Sequence, residues 1–219
     1  MAKVLAAIYK RAVKDANDRI AIMAITNGYA TLAQIKASLR ITDNIDDELL
    51  ELAIETASRE IDTACERQFF QTEATRVYTP SDSYRTAIDD ITTVTSIKTS
   101  SAADGVFDTT WTTNDYQLEP LNGLAGGVET PANVIRAVGD YTFPTDGVEA
   151  TVQVVGTFGF ASVPTAITQA TILLGSRNFK RNDAPLGVTG FGDLGVIRVS
   201  KLDPDVEAMI MPYKKVQFA

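Results

Sequence analysis

Histidine is absent from these 219 residues, and cysteine and tryptophan occur once each. Without an imidazole neither a Ser-His-Asp nor a Cys-His arrangement can be assembled, and a single thiol does not complete the usual zinc ligand sets. Much common enzymology is excluded, and no cofactor or metal is expected. The lone Cys65 cannot form an internal disulfide. It falls on or beside an apolar helical stripe, which reads as a small buried filler in a chain of intracellular origin. Long hydrophobic runs are missing as well. None approaches the roughly 20 residues that cross a bilayer, and Lys10, Arg11, Lys14, Asp15 and Asp18 interrupt the apolar positions of the first 20, so neither membrane segment nor export signal is expected. Positive charge is the minority, 20 Lys and Arg against 28 Asp and Glu, for a net charge of -8. That balance argues against wrapping nucleic acid by neutralising its phosphates, although an acidic surface can face DNA without holding it.

What remains is 45% hydrophobic with a mean hydropathy near zero, the composition of a soluble globular protein long enough to bury a substantial core. The clearest local signal runs from Thr31 to Phe70. Thr31 with Gln34 three residues on forms a capping-box pattern, and Leu32, Ile35 and Leu39 share one face of a helix ending near Arg40. Asp43 or Asn44 can cap a second helix, whose first turn, Asp46-Asp47-Glu48, sets negative charge at the positive end of the helix dipole. Leu50, Ile54, Ala57, Ile61 and Ala64 then recur at helical spacing, while Glu51, Glu55, Arg59, Glu60 and Asp62 lie mostly on other faces. By itself this is an amphipathic helical hairpin and assigns no function.

Before it, residues 1–22 carry Val4, Leu5, Ile8 and Ala12 at spacings compatible with one helix, followed by a break at Thr26-Asn27-Gly28. This is either an arm docking on a neighbour or an added, weakly constrained helix, and Met23 is an alternative start. After Phe70 the chain becomes β-prone, with strands expected at Arg76 to Tyr78, near Ile91 to Lys98 and over Thr151 to Phe160. Ile88, Ile91, Val94 and Ile97 fall at every third position, a hint of helix, but the interleaved Thr92, Thr93 and Thr95 favour a strand. Trp111 and Tyr116-Gln117-Leu118 read as strand material between loops at Ser100 to Gly105 and Leu121 to Pro131. Gly156 and Gly159 suggest that the last strand bends.

Helix resumes after Pro164, with Ile167, Ala170, Leu173, Leu174 and Phe179 on its apolar side and Arg177, Lys180 and Arg181 at its C-terminal end. Asn182 to Gly195 is a glycine-rich loop. It lacks the Lys-Ser/Thr ending and the strand-to-helix context of a phosphate cradle, so it reads as a contact loop. Val196 to Val199 is a short strand candidate, and a last helical turn begins at Asp203-Pro204 and stops at Pro212.

The ordered set of segments resembles the head-tail connector, or adaptor, proteins of tailed bacteriophages, including relatives in gene transfer agents. The resemblance rests on Leu32 to Ile41 followed by Asp46-Asp47-Glu48-Leu49-Leu50 and Ala57 to Phe69. It continues through Ile91 to Ile97, Asp115-Tyr116-Gln117-Leu118 with Pro120, Gly156-Thr157-Phe158-Gly159-Phe160, Val163-Pro164, Ala170 and Arg177 to Arg181. It implies an α+β chain: a helical connector core of antiparallel helices over residues 29–72 and 162–219, ending in an extended C-terminal arm. A small β-rich insertion would occupy 73–161, and an N-terminal helix or arm 1–28. The smaller family members are almost wholly helical, so the insertion departs from the minimal pattern.

The resemblance further implies a structural virion protein made in the host cytoplasm. It would form a homo-oligomeric, dodecameric ring between the portal and a neck, stopper or tail protein, with DNA passing through the lumen without sequence-specific binding. A ring needs unlike faces to meet, and Arg59, Glu60, Glu66 and Arg67 could supply complementary subunit edges; each is equally well a charge on a solvated helix face. Met209, Ile210, Met211, Tyr213, Lys214, Lys215 and Phe218 suit an arm that finishes folding on a partner, or alternatively one that packs on its own domain. Two other readings stand beside this one. A tail-completion or tail-tube protein would share the location but not the neighbours. A carboxylate-based hydrolase would need two acids at a suitable separation, for which Asp89, Asp90, Asp115 and Glu119 are available in the loop-rich section.

Overall fold

The computed structural model describes residues 25–102, 104–145, 149–181 and 203–215. The N-terminal helix expected over 1–22, the glycine-rich loop at 182–195, the strand candidate at 196–199 and Phe218 lie outside these residues. The chain divides into two compact units, Met1–Ile61 with Thr168–Glu207, and Asp62–Ile167 with Ala208–Ala219.

In the first unit, helix α1 (Leu32–Leu39) starts as its sequence dictates. Thr31 has extended backbone, its hydroxyl accepts from the Gln34 N–H at 3.2 Å, and the Gln34 side-chain oxygen accepts from the Thr31 N–H at 2.8 Å. Two otherwise orphaned donors are satisfied reciprocally. The helix ends where Arg40 turns left-handed at φ 59°. The Arg40 N–H then reaches Ala37 O and the Ile41 N–H reaches Lys36 O, the paired bonds of a Schellman ending.

Helix α2 (Asp47–Cys65) begins slightly later than expected. The Asp43 carboxylate caps the preceding turn by accepting from the Ile45 N–H, and the first helical bond runs from Leu50 N to Asp46 O. Leu50, Ile54, Ala57 and Ile61 are buried at helical spacing, as the stripe predicts, Ala53 joins them and Ala64 is half-buried. Ala30, Ile35, Leu50 and Ile54 form the centre of this unit, with Ile172 and Phe179 of helix α3 (Thr165–Arg181) packed against them. Gly175 lets that helix approach: a Cβ there would stand 3.1 Å from the Ile35 Cδ1. Leu173, expected on the apolar side, is exposed.

The second unit is built on a six-stranded antiparallel sheet. Its strands are β1 (Thr72–Tyr78), β2 (Arg85–Thr99), β3 (Thr109–Trp111), β4 (Tyr116–Glu119), β7 (Ala132–Ala137) and β8 (Val152–Phe158), in the order β1-β8-β2-β7-β4 with β3 beside β2. A separate two-stranded hairpin, β5 (Leu124–Ala125) and β6 (Val128–Glu129), occupies what the sequence presents as a loop. It turns on Gly126 and Gly127, both at positive φ, the requirement of a type I′ turn. Ile88, Ile91, Ile97, Trp111, Ile135, Phe143, Val152, Val154 and Phe158 make the core of this unit.

Strand β2 explains the three-residue spacing of its isoleucines. Its register against β8 shifts between Ile91 and Thr93 and again between Val94 and Ser96. With one extra residue between Ile91 and Val94 and another between Val94 and Ile97, all three come to the same face, Ile91 and Ile97 buried in the core and Val94 packed against it. Each bulge inserts an extra residue and changes which face the next side chain meets. Gly156 lies opposite, where a Cβ would run into the Thr93 carbonyl.

Residues 204–215 are folded. Helix α4 (Pro204–Ile210) leads into a single 3-10 turn, Met211–Tyr213, that contains Pro212. In the β-rich unit Tyr213 is buried, its ring 5.9 Å from Phe69 and 6.4 Å from Phe160, which are themselves 4.8 Å apart. The Lys215 N–H donates to the Cys65 carbonyl at 3.0 Å. Ile210 and Tyr213 therefore pack on their own unit, the alternative to an extended arm.

Candidate functional site

The four charges expected to serve as subunit edges fall into two kinds. Arg59 is tied inside the helical unit, donating to the Asn27 carbonyl at 3.0 Å and lying 5.4 Å above the Tyr29 ring. Glu60 is exposed and accepts from the Asn178 amide at 3.3 Å. In the β-rich unit, Glu66 is exposed at the left-handed residue that ends α2, at φ 54°. Arg67 turns inward. Its guanidinium lies 3.4 Å from the Asp90 carboxylate and over the Phe160 ring at 5.9 Å. Only Glu60 and Glu66 of the four present charge outward.

Of the tail residues, Ile210 and Tyr213 are buried, Met209, Lys214 and Lys215 are half-buried, and Met211 is exposed.

Around Arg67 the β-rich unit gathers a charged cluster whose members are far apart in sequence. Arg76 pairs with Asp89 at 2.6 Å, Tyr78 donates to the same carboxylate at 3.0 Å, and Lys215 approaches its other oxygen at 4.0 Å. Arg76 also lies 4.3 Å above the Phe158 ring. Arg67, Arg76, Asp89, Asp90 and Lys215 line a cavity of about 160 Å³. Burial pushes the Asp90 carboxyl above its ordinary value, and the positive charges of Arg67 and Lys215 counter part of that rise. Burial, with Asp89 beside it, pushes the Tyr78 phenol up to about 12. Burial likewise raises the Cys65 thiol to about 11.

Each of the acids that a hydrolase would need is committed to local structure. Asp115 accepts from the Thr112 N–H and hydroxyl, holding a turn. Glu119 stands between Arg85 and Arg136 at 3.5 and 3.6 Å. Asp89 and Asp90 belong to the ion cluster. The arrangement is that of pairing and positioning charges inside a fold. Among the described residues no group of acids, histidines or cysteines is placed to hold a metal ion, and no helix is long and apolar enough to cross a membrane.

The outward surface carries the remaining signal. In the helical unit Ile45, Leu49 and Leu52 are exposed on one side of α2, and Leu173 is exposed on α3. In the β-rich unit Val77, Tyr84, Val106, Leu121 and Leu124 are exposed. Helical spacing in α2 marks Leu50 and Ile54 as core, but nothing in the spacing of Ile45, Leu49 and Leu52 identifies that second series as a surface for contact.

Residues 29–104 match the family described as phage gp6-like head-tail connector protein. The fold is similar to a chain in the neck of an empty gene transfer agent particle computed with C6 symmetry, and to one in the neck of a native particle computed with C12 symmetry. For each the TM-score is 0.56 at 18% identity, covering 90% of this chain and 94% of the other. A chain of the native gene transfer agent virion aligns over the same shares at 19% identity with a TM-score of 0.50. No curated protein matches by sequence.

Proposed function

From a chain whose residues 29–104 match the phage gp6-like head-tail connector family, we infer a structural virion protein of the neck, a connector rather than an enzyme. The observation that carries this reading is the breadth of the likeness. The family pattern spans the helical hairpin and enters the β-rich unit, while the fold as a whole aligns with neck chains over nine-tenths of both partners.

The finer reading is a ring of twelve copies seated on the portal and met on its other side by a stopper or tail protein, with DNA passing through the lumen. The C6 and C12 symmetries of the similar necks support a cyclic assembly. The net charge of -8 suits a conduit that repels the duplex it conducts. In this reading the helical segments form the ring and the β-rich insertion faces a partner, with Glu60 and Glu66 among the charges available at subunit edges.

Mass measurement and side-chain-resolution imaging of a purified capsid with its neck test the assignment. Twelve copies contacting the portal are expected. Absence of the chain from the portal vertex overturns it, and presence only beyond the neck favours the tail-completion or tail-tube alternative.

A further inference from the structure

The exposed apolar residues of the helical unit are placed beside charges of opposite sign on two different helices. Ile45, Leu49 and Leu52 are 86%, 45% and 59% exposed, and their spacing of four and three puts them on one side of α2 and the turn leading into it. Acidic residues accompany them, Glu48 in the first turn of the helix and Glu51 one turn on, while Asp47 of that turn is held by Lys36 at 2.7 Å. Crowding by Asp47 and Glu48 adds to burial in raising the Glu51 carboxyl, as expected where like charges share one surface. On α3, Leu173 is 39% exposed. Lys180 follows it two turns on along the same side, Arg177 between them faces Asp203 of its own unit at 3.6 Å, and Lys180 and Arg181 form the basic last turn.

We propose that the acidic-rimmed Leu49–Leu52 side of α2 in one copy docks on the Leu173–Lys180 side of α3 in the next copy, forming the repeating contact of a ring. This rests on the oligomeric reading above and names the surface that reading lacks. The occupant is a second copy because the complement, an apolar residue flanked by cations, is present in every copy. Self-pairing of the α2 side would set Glu48 and Glu51 against their own duplicates, and self-pairing of the α3 side would do the same with Lys180 and Arg181. Like-charge juxtaposition disfavours both two-fold dimers. The head-to-tail contact joins unlike faces and so propagates, closing if its rotation closes. Burying the leucines also removes exposed apolar area from water in each subunit.

The test uses the full chain and the assembled neck. Leu52→Cys and Leu173→Cys are made separately; both sites are exposed, and circular dichroism verifies the fold. A short bis-maleimide should link the two variants to each other when mixed, with little linking of either to itself. The double variant should give a ladder of oligomers, in solution and in neck assemblies. Glu48→Lys with Glu51→Lys should weaken self-association at least about tenfold, and Lys180→Glu with Arg181→Glu in the same chain should recover much of it. A ring that forms while the two introduced thiols stay unlinked overturns this contact and leaves the ring standing. Linking of the Leu52→Cys variant to a different virion protein also overturns it. A chain that stays monomeric alone and is a single copy in the neck removes the ring itself and this contact with it.

Discussion

Arg67 and Asp90 face each other across 3.4 Å with both side chains withdrawn from solvent. One follows the end of α2 and the other sits in β2, so the pair ties a helix terminus to the sheet within the β-rich unit. Neither Asp90 oxygen nor the Arg67 Nε has a hydrogen bond of good geometry, which makes the pair dependent on charge alone.

Removing one partner should therefore be costly and pH-dependent. Because the folded Asp90 carboxyl lies above its ordinary 3.8, the folded protein keeps a proton that the unfolded chain has lost as pH rises from 3.8 to the folded value. Stability from this group falls across that window, and above it the folded state carries a buried carboxylate offset by Arg67. Arg67→Met should cost about 3 kcal/mol at pH 7. The loss should shrink at pH 4, where the unpaired Asp90 takes up a proton. Urea melts at the two pH values measure this, and Arg67→Met with Asp90→Asn should abolish the difference. An equal loss at both pH values contradicts the account.

Cys65 should be inert in the native protein. With its thiol raised to about 11, the thiolate is on the order of one part in a thousand at pH 8, and the residue is buried besides. A maleimide should label no thiol in buffer and one after denaturant is added. Complete native labelling within minutes would show that the end of α2 opens readily.

Gly126 and Gly127 separate two effects at one hairpin turn. Both have positive φ, so alanine is strained at either by roughly 1 kcal/mol. At Gly126 a Cβ would also stand 2.6 Å from the Tyr213 hydroxyl, whereas at Gly127 nothing lies within 4 Å. Gly126→Ala should be the more destabilising by about 1–3 kcal/mol in thermal melts. Gly126→Ala combined with Tyr213→Phe should recover part of the difference.

The Thr31–Gln34 capping box offers a surface test of the helical unit. Thr31→Ala should cost about 1 kcal/mol and Thr31→Ser very little, read as the shift of the urea midpoint with unchanged slope.

Local chemistry makes the helices legible. A cap, an acidic first turn and a stripe at helical spacing act over a few residues, so α1 and α2 follow from the sequence to within a few positions. Strand β2 is harder, because its bulges overwrite the period-two alternation that identifies a strand. Nothing local announces strand β7, Ala-Asn-Val-Ile-Arg-Ala, and the β5–β6 hairpin is hidden by glycines that read equally well as loop. The ion cluster is not legible at all. Arg67, Asp89, Asp90 and Lys215 are ordinary charges in sequence and meet only through sheet register and the docking of the last described residues. The tail misleads for a related reason: Ile210 and Tyr213 look like sticky residues of an arm, and what they adhere to is their own unit.

The seating of Tyr213 against Phe69 and Phe160 also sets a clock on biosynthesis. The contact from Cys65 to Ile210 spans 145 positions, so the aromatic cluster stays open until nearly all the described chain has been made. At ribosomal speeds the interval between Phe160 and Tyr213 is roughly 3–10 s. During that time Phe69 and Phe160 have no tyrosine to cover them. A chain that stops short of Tyr213 therefore leaves the Phe69–Phe160 pair without its third ring.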